Sequence, residues 1–181
     1  KNLGFSIANN IAAENANGEY LLFLNNDTKI HSDTVFELVK NMSVNPGLGI
    51  CGCKMMSYDG RTLFHSGIGV DIFGFPVACG ETFYAEGSAL MIKKQLFRAV
   101  GGFDPAYFMF HEDIDLAWRV WLSGYQVAAI SEAVVYHSVG ASAGGTALIK
   151  EGQYKSTYFR RYFSERNNIR TLLKNYGFPI L

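Results

Sequence analysis

The segment His111-Glu112-Asp113-Ile114-Asp115 packs three carboxylates and a histidine into five positions. A helical pattern follows at once in Leu116, Ala117, Val120 and Trp121. On a helix, Asp113 shares its face with Leu116, Ala117 and Val120, at spacings of three, four and seven. That face is apolar, so the carboxylate points inward or into a cleft, where it needs a partner or a task. A helix N-terminus partly offsets the cost and favours the ionised form. An acidic first turn accounts for Glu112, and an i,i+4 pair with Arg119 accounts for Asp115. Neither accounts for Asp113. A second candidate is Asn25-Asn26-Asp27, where a buried strand emerges, the place at which open α/β sheets bind ligands. Asn25 and Asp27 present oxygen atoms on one side of the chain, which suits Mg²⁺ or Mn²⁺ held jointly with a phosphate. The competing reading is a polar turn capping the next helix. His137 ends another strand and is followed by Ser138, Gly140 and Ser142, as in a phosphate-facing loop.

The elements that must position these groups alternate between helix and buried strand. Ser6 to Ala16 reads as a short helix and Glu19 to Leu24 as a strand buried on both faces. Ser32 to Ser43 is a second helix, with Ser32 as N-cap and Thr34 and Glu37 at capping-box spacing. Leu48 to Met55 is a further buried strand, and residues 57–84 read as irregular strand and loop. Ala85 to Ile92 is a strand and Lys93 to Val100 a short helix. The helix from Glu112 runs to Ser123 and stops at Gly124. Gln126 to Ile130 and Ala133 to His137 read as two short strands, and Gly140 to Gly145 as a small-residue loop. Lys150 to Tyr176 is one long helix with an aromatic stripe through Tyr154, Tyr158, Tyr162, Ile169, Leu172 and Tyr176. Such alternation implies a layered α/β fold.

At 181 residues, 49% hydrophobic and 18% charged, the chain suits one globular domain with a sizeable core. It opens at Lys1 directly in structured sequence, so a fragment or excised domain is expected. No charged start precedes an apolar h-region, and Tyr20 to Leu24 and Val127 to Ile130 are far too short to span a membrane. Cys51, Cys53 and Cys79 form no CxxC pair and read as buried reduced thiols, in keeping with a reducing compartment. The charge is unevenly placed. Of 16 basic and 16 acidic residues, seven and two lie in 150–181, leaving nine and fourteen in 1–149. The body should prefer cations and the tail anions. The opening Asn2-Leu3-Gly4-Phe5-Ser6 is neither a dinucleotide fingerprint nor a P-loop.

Taken in order, N-x-G-F-S-x-A-N-N, L-L-F-L-N-N-D-T, G-G-F-D-P-x-Y-F, E-D-I-D-L-A-W-R and a strand ending in His resemble family 2 glycosyltransferases of the GT-A fold, in particular the bacterial rhamnosyltransferase-like members. The resemblance runs from Asn2 to about Asn175. It implies a GT-A mixed sheet flanked by helices and lacking its first strand or strands. Residues 1–149 would be the partial catalytic core, and 150–181 a basic amphipathic helix packed on it or extending from it. It implies a metal-dependent inverting transfer of a sugar from a nucleotide-diphosphate sugar to a hydroxyl of a glycan or lipid-linked acceptor, in cell-surface polysaccharide or glycolipid synthesis. Nucleic acid is not an expected partner.

Residue by residue, Asp27 matches the DxD acid that binds Mn²⁺ or Mg²⁺, with Asn25 replacing the first acid, and His137 lies where some members supply a metal or diphosphate ligand. Glu112-Asp113 matches the E-D motif, in which the aspartate is the catalytic base. Asn2, Gly4 and Asn10, with Asn25 and Asn26, match stretches around the nucleotide sugar, and Ser88 and Asp104 fall near the acceptor side. A cytoplasmic location follows, with attachment at the inner membrane face as an extension. The tail either lies on an anionic membrane surface or packs its tyrosine stripe on the domain with Arg160, Arg161, Arg166 and Arg170 solvated. The alternative function is a non-catalytic nucleotide-sugar-binding or truncated inactive domain. A nucleotidyltransferase would need a glycine-rich basic triphosphate loop, which is absent from the sequence.

Overall fold

The computed structural model describes residues 2–77, 80–138, 148–149, 153–154 and 158–177. Helix α1 (Gly4–Asn15) leads into β1 (Tyr20–Leu24) and the short β2 (Thr28–Ile30), then α2 (Thr34–Val44) and the ten-residue β3 (Leu48–Ser57). The glycine-rich stretch holds β4 (Leu63–His65), β5 (Gly69–Val70) and β6 (Pro76–Val77). Next come β7 (Ala89–Lys93), α3 (Lys94–Ala99), α4 (Glu112–Leu122) and β8 (Gln126–His137). Two small strands, β9 (Leu148–Ile149) and β10 (Gln153–Tyr154), precede α5 (Tyr158–Asn175). The expected loop 140–145 and Cys79 lie outside the described residues.

The main sheet runs β1-β7-β3-β8-β2, with β4 also on β3. Only β3 and β8 run parallel; the other pairs are antiparallel. The mixed sheet separates two apolar layers, as period-two side chains require. Leu21, Phe23, Ile50, Ile92, Leu116 and Val120 pack on the side of α1, α3 and α4. Leu38, Met42, Cys51, Cys53, Met91 and Val135 pack on the α2 side. Cys51 and Cys53 are free buried thiols, pushed up to about 12 by burial, and so stay protonated.

Several expectations shift. Among the described residues β1 pairs with β7 alone, and its alternate positions Tyr20 and Leu22 are half-buried against the α2-side layer. The two strands read between Gln126 and His137 are one. Its pairing jumps from Cys53↔Ile130 to Lys54↔Val134, so Ser131 and Glu132 bulge out without ending it. No side chain caps α2; Thr34 instead donates to the carbonyl of Val134 at 2.7 Å, and Glu37 pairs with Lys40.

The tail differs most. Helix α5 begins at Tyr158, and the face it buries carries Asn167, Asn168 and Thr171. Tyr158, Tyr162 and Ile169 of the expected stripe are exposed. Beside α4, the surface beneath α5 includes loop whose backbone carbonyls lack ladder partners, so donors are buried there. The Asn168 amide donates to Phe73 O at 2.9 Å, and Thr171 Oγ1 lies 2.9 Å from Tyr107 Oη. Nor are the arginines all solvated: Arg166 donates to Ala106 O, and Arg170 pairs with Asp104. Asp115 is fully buried and holds α4 to α5. It accepts from Arg119 at 2.7 Å, from Lys174 at 2.9 Å and from Asn175 at 3.1 Å. Asp115→Ala leaves Arg119 without its carboxylate and Lys174 with Asp104 alone. The expected loss is about 3–5 kcal/mol, read as a lower urea midpoint; an unchanged midpoint would refute this role for Asp115.

Candidate active site

The strand ends meet at a cavity of about 540 Å³. Asn25 and Asn26 reach it from the end of β1, and His137 from the end of β8. Glu86, Gly87 and Ser88 enter ahead of β7, and His111 to Ile114 enter at the start of α4. Arg160 and Ser164 of α5 complete the wall. Its size is that of a small-molecule site.

Pairing of β2 with β8 sets Thr28 opposite His137, one residue from Asp27. His137 Nε2 lies 3.2 Å from Asp27 Oδ1, both side chains are about nine-tenths buried, and Ser138 N donates to Asp27 O. Asn25 N donates to Ser88 O, and Asn25 O accepts from Thr28, so this turn is held by its backbone. The donor set fits a divalent ion. A carboxylate oxygen and an imidazole nitrogen at this separation match adjacent positions around a metal with bonds of about 2.1 Å. The carboxylate suits Mg²⁺ or Mn²⁺, and two protein ligands leave positions for phosphate oxygens. Among the described residues no third His, Cys, Asp or Glu joins them to make a closed site.

Asp113 is half-buried and faces the cavity. Its carboxylate accepts from Gly87 N at 3.0 Å and from Ile114 N at 2.9 Å. Burial nevertheless dominates, and with the nearby charge of Glu86 it pushes the Asp113 carboxyl up to about 6 despite these donors. The helix start therefore does not keep this acid at its ordinary value. Glu112 is buried more deeply, and burial and the Asp113 charge push it well above the carboxylate range. Its Oε2 has no hydrogen-bond partner among the described residues. Two carboxyls this close do not both ionise readily, and Glu112 is the one set deeper from solvent.

The turn before α4 is strained. Phe110 and His111 are consecutive left-handed residues, with φ of 68° and 67°. Each such conformation costs about 1–3 kcal/mol and persists only where its surroundings enforce it. Burial keeps the His111 imidazole neutral, lowered to about 4.

Other expected site residues lie elsewhere. Ser88 is at the cavity, its hydroxyl 3.2 Å from Glu86 Oε2. Asp104 does not line it; Lys174 at 2.9 Å and Arg170 hold it against α5. Asn10 is also remote: its amide clips Phe103 N and O beside a separate hollow of about 260 Å³. Asn2 accepts from Gly4 N in the turn just ahead of α1. Gly4 has φ +76°, and a Cβ there would meet Phe108 O at 2.4 Å, so its role is close backbone approach. None of these four lines the cavity.

Sequence reasoning missed Glu86 and His65, whose Nε2 lies 3.2 Å from Glu86 Oε2. Burial raises Glu86, but His65 and Ser88 outweigh it and hold the carboxyl below its usual range. An acid opening an otherwise apolar strand was the available signal for Glu86; nothing local marks His65, Arg160 or Ser164.

A family model described as Glycosyl transferase family group 2 matches residues 20–179. The chain is 28% identical over 169 residues to the O-antigen biosynthesis protein RfbC of Myxococcus xanthus, covering 83% of this chain and 13% of that protein. It is 37% identical over 76 residues to the N-acetylglucosaminyl-diphospho-decaprenol L-rhamnosyltransferase of Mycobacterium tuberculosis, covering 41% of this chain and 25% of that one. Among solved structures, GalNAc-T7 with UDP, GalNAc and Mn²⁺ superposes with a TM-score of 0.70 at 16% identity, over 94% of this chain and 35% of that one. The mannosyltransferase PcManGT of Pyrobaculum calidifontis with GDP-Man and Mn²⁺ gives 0.58 at 21% identity, over 77% and 38%. The sheet is thus that of GT-A glycosyltransferases, and the chain belongs to glycosyl transferase family group 2.

Proposed function

We propose that this chain forms the catalytic site of a metal-dependent inverting glycosyltransferase that moves a sugar from a nucleotide-diphosphate sugar to a hydroxyl of a glycan or lipid-linked acceptor. The observation that carries this reading is one cavity shared by Asp113, Asn25 and His137, with Asp27 against His137. Asp27 and His137 would hold Mn²⁺ or Mg²⁺, and Asn25 and Asn26 line the donor side. Once bound, the ion offsets negative charge developing on the departing diphosphate. Asp113 accepts the acceptor hydroxyl's proton as its oxygen bonds to the anomeric carbon. The bond to the diphosphate breaks, its electron pair leaves with the phosphate, and attack from the opposite face inverts the centre. Glu112, whose carboxyl burial and the Asp113 charge push upward, favours leaving the negative charge on Asp113, and Ser88 stands on the acceptor side.

The acceptor's chemistry bears on where the protein works. Beside the cavity, α5 exposes Tyr158, Phe159 and Tyr162, and the turn before β6 exposes Ile72 and Phe73. Rings and arginines together suit the interface of an anionic membrane, so the chain works on the cytoplasmic side at the membrane surface. Among the described residues no helix is long and apolar enough to cross a membrane. The matched rhamnosyltransferase is named for a diphospho-decaprenol substrate. The chain spans a small share of its curated relatives.

Calorimetric titration with UDP, GDP and dTDP tests the reading. Saturable binding of at least one nucleotide that requires Mn²⁺ is expected, with transfer from the matching nucleotide sugar and co-sedimentation with phosphatidylglycerol vesicles. Binding without transfer would establish the non-catalytic alternative. Nucleotide binding indifferent to Mn²⁺ would remove the metal from the reading, and absence from the vesicle pellet would remove the membrane.

A further inference from the structure

Two consecutive left-handed residues place Glu112 and Asp113 at the cavity, and neither is glycine. Such backbone needs an external hold. The carbonyls of Met109 and Phe110, in and beside that strained pair, each accept from one side-chain nitrogen, Asn167 Nδ2, at 2.8 Å. Asn167 is fully buried in α5, 57 residues from Phe110 along the chain. Its other amide atom is engaged as well: Oδ1 accepts from Arg166 Nε at 2.9 Å and Nη2 at 2.8 Å. These partners fix the orientation of the amide, since a flipped group would set its oxygen against two carbonyls and its NH₂ against a guanidinium. Arg166 also donates to Ala106 O at 2.9 Å and sits over the Phe163 ring. The whole of 106–110 is thereby held from α5. Among common side chains of this size, only a carboxamide supplies two donors to carbonyls and an acceptor to a guanidinium.

We propose that Asn167 is a positioning residue of the transfer reaction: by clamping the carbonyls of Met109 and Phe110 it holds the left-handed turn that aims Asp113 into the cavity. This rests on Asp113 being the base. With the clamp gone, the turn relaxes towards right-handed backbone and the first turn of α4 rotates. Asp113 then loses its contact with Gly87 N and its enclosed place. The nucleotide-sugar side, built on β1 and β8, does not depend on it. Geometric error of this kind acts on turnover and leaves donor binding intact.

The test compares three variants of the full chain in a transfer assay, each confirmed folded by circular dichroism at the assay temperature. Asn167→Ala removes both donors. Its expected kcat falls by about ten- to a hundredfold, with KM for the nucleotide sugar within about twofold, and the acidic limb of kcat/KM moves to lower pH as Asp113 becomes solvated. Arg166→Met keeps the packing on Phe163 but releases Asn167 Oδ1; it should shift kcat and the limb in the same directions by less, and it stands in should Asn167→Ala not fold. Thr171→Val removes the hydroxyl's bonds to Tyr107 and to the Asn167 carbonyl but leaves the Asn167 side-chain amide on Met109 and Phe110, and should leave kcat and the limb unchanged. Wild-type kcat and limb in Asn167→Ala (or in Arg166→Met, if that variant stands in), or an equal loss in Thr171→Val, would overturn the proposal. Full activity in Asp113→Asn would instead defeat the assignment of the base.

Discussion

Asp113→Asn lowers kcat by about a hundred- to ten-thousandfold, the range for removal of a positioned general base, while nucleotide-sugar binding persists. The amide keeps the size, and its single oxygen can still accept from Gly87 N while the bond from Ile114 N is lost, so a loss of rate is read as the missing proton acceptor once circular dichroism shows the fold retained. The pH profile supplies a second check. A base works ionised, and the Asp113 carboxyl is pushed up to about 6. The rate of the native chain is therefore flat above that value and falls about tenfold per unit below it. A solvated aspartate would place the same limb near pH 4. Glu86 contributes to this displacement, so Glu86→Gln moves the limb towards acid. A variant Asp113→Asn with native turnover, or a native limb near pH 4, would show that another group takes the proton.

The second large effect concerns Asp27 and His137. Asp27→Asn retains the backbone bond from Ser138 N to residue 27 and a polar contact to His137, but it removes the charge. His137→Ala removes the nitrogen ligand. Both are expected to abolish Mn²⁺-dependent binding of nucleoside diphosphate in calorimetry and to lower turnover about a thousandfold, equivalent to several kcal/mol of charge stabilisation. Chelation of the native chain should reproduce the loss, and excess Mn²⁺ should restore part of it in His137→Ala, which keeps the carboxylate. Turnover by the native chain in excess chelator, or Mn²⁺-dependent binding that survives in Asp27→Asn, would remove this pair from the metal site.

Much of the fold and half of the site were legible along the chain. Asn25-Asn26-Asp27 follows a strand that apolar residues define locally, Glu112-Asp113 opens a helix that period 3.6 defines locally, and His137 ends a strand. Position relative to an element is a short-range property, and these residues lie where their segments put them. The remainder depended on contacts between distant segments. β1 reads as buried on both faces, and it does pack against both apolar layers, but its place at the end of the sheet, with Leu24 exposed, is settled by which strands pair. The tail reads as an aromatic stripe, yet it buries Asn167, Asn168 and Thr171, because the loop carbonyls beneath them belong to residues some 57 to 95 positions away. Asp104 and Asn10 sit in motif-like stretches and are turned to the frame by partners on other elements. The proton affinity of Asp113 is likewise a tertiary matter: residue type sets its reference value, and burial beside Glu86, with Gly87 as donor, sets its working one. Local pattern names the side chains and the ends on which they ride, whereas pairing order, buried hydrogen bonds and dielectric arise only when remote parts of the chain come together.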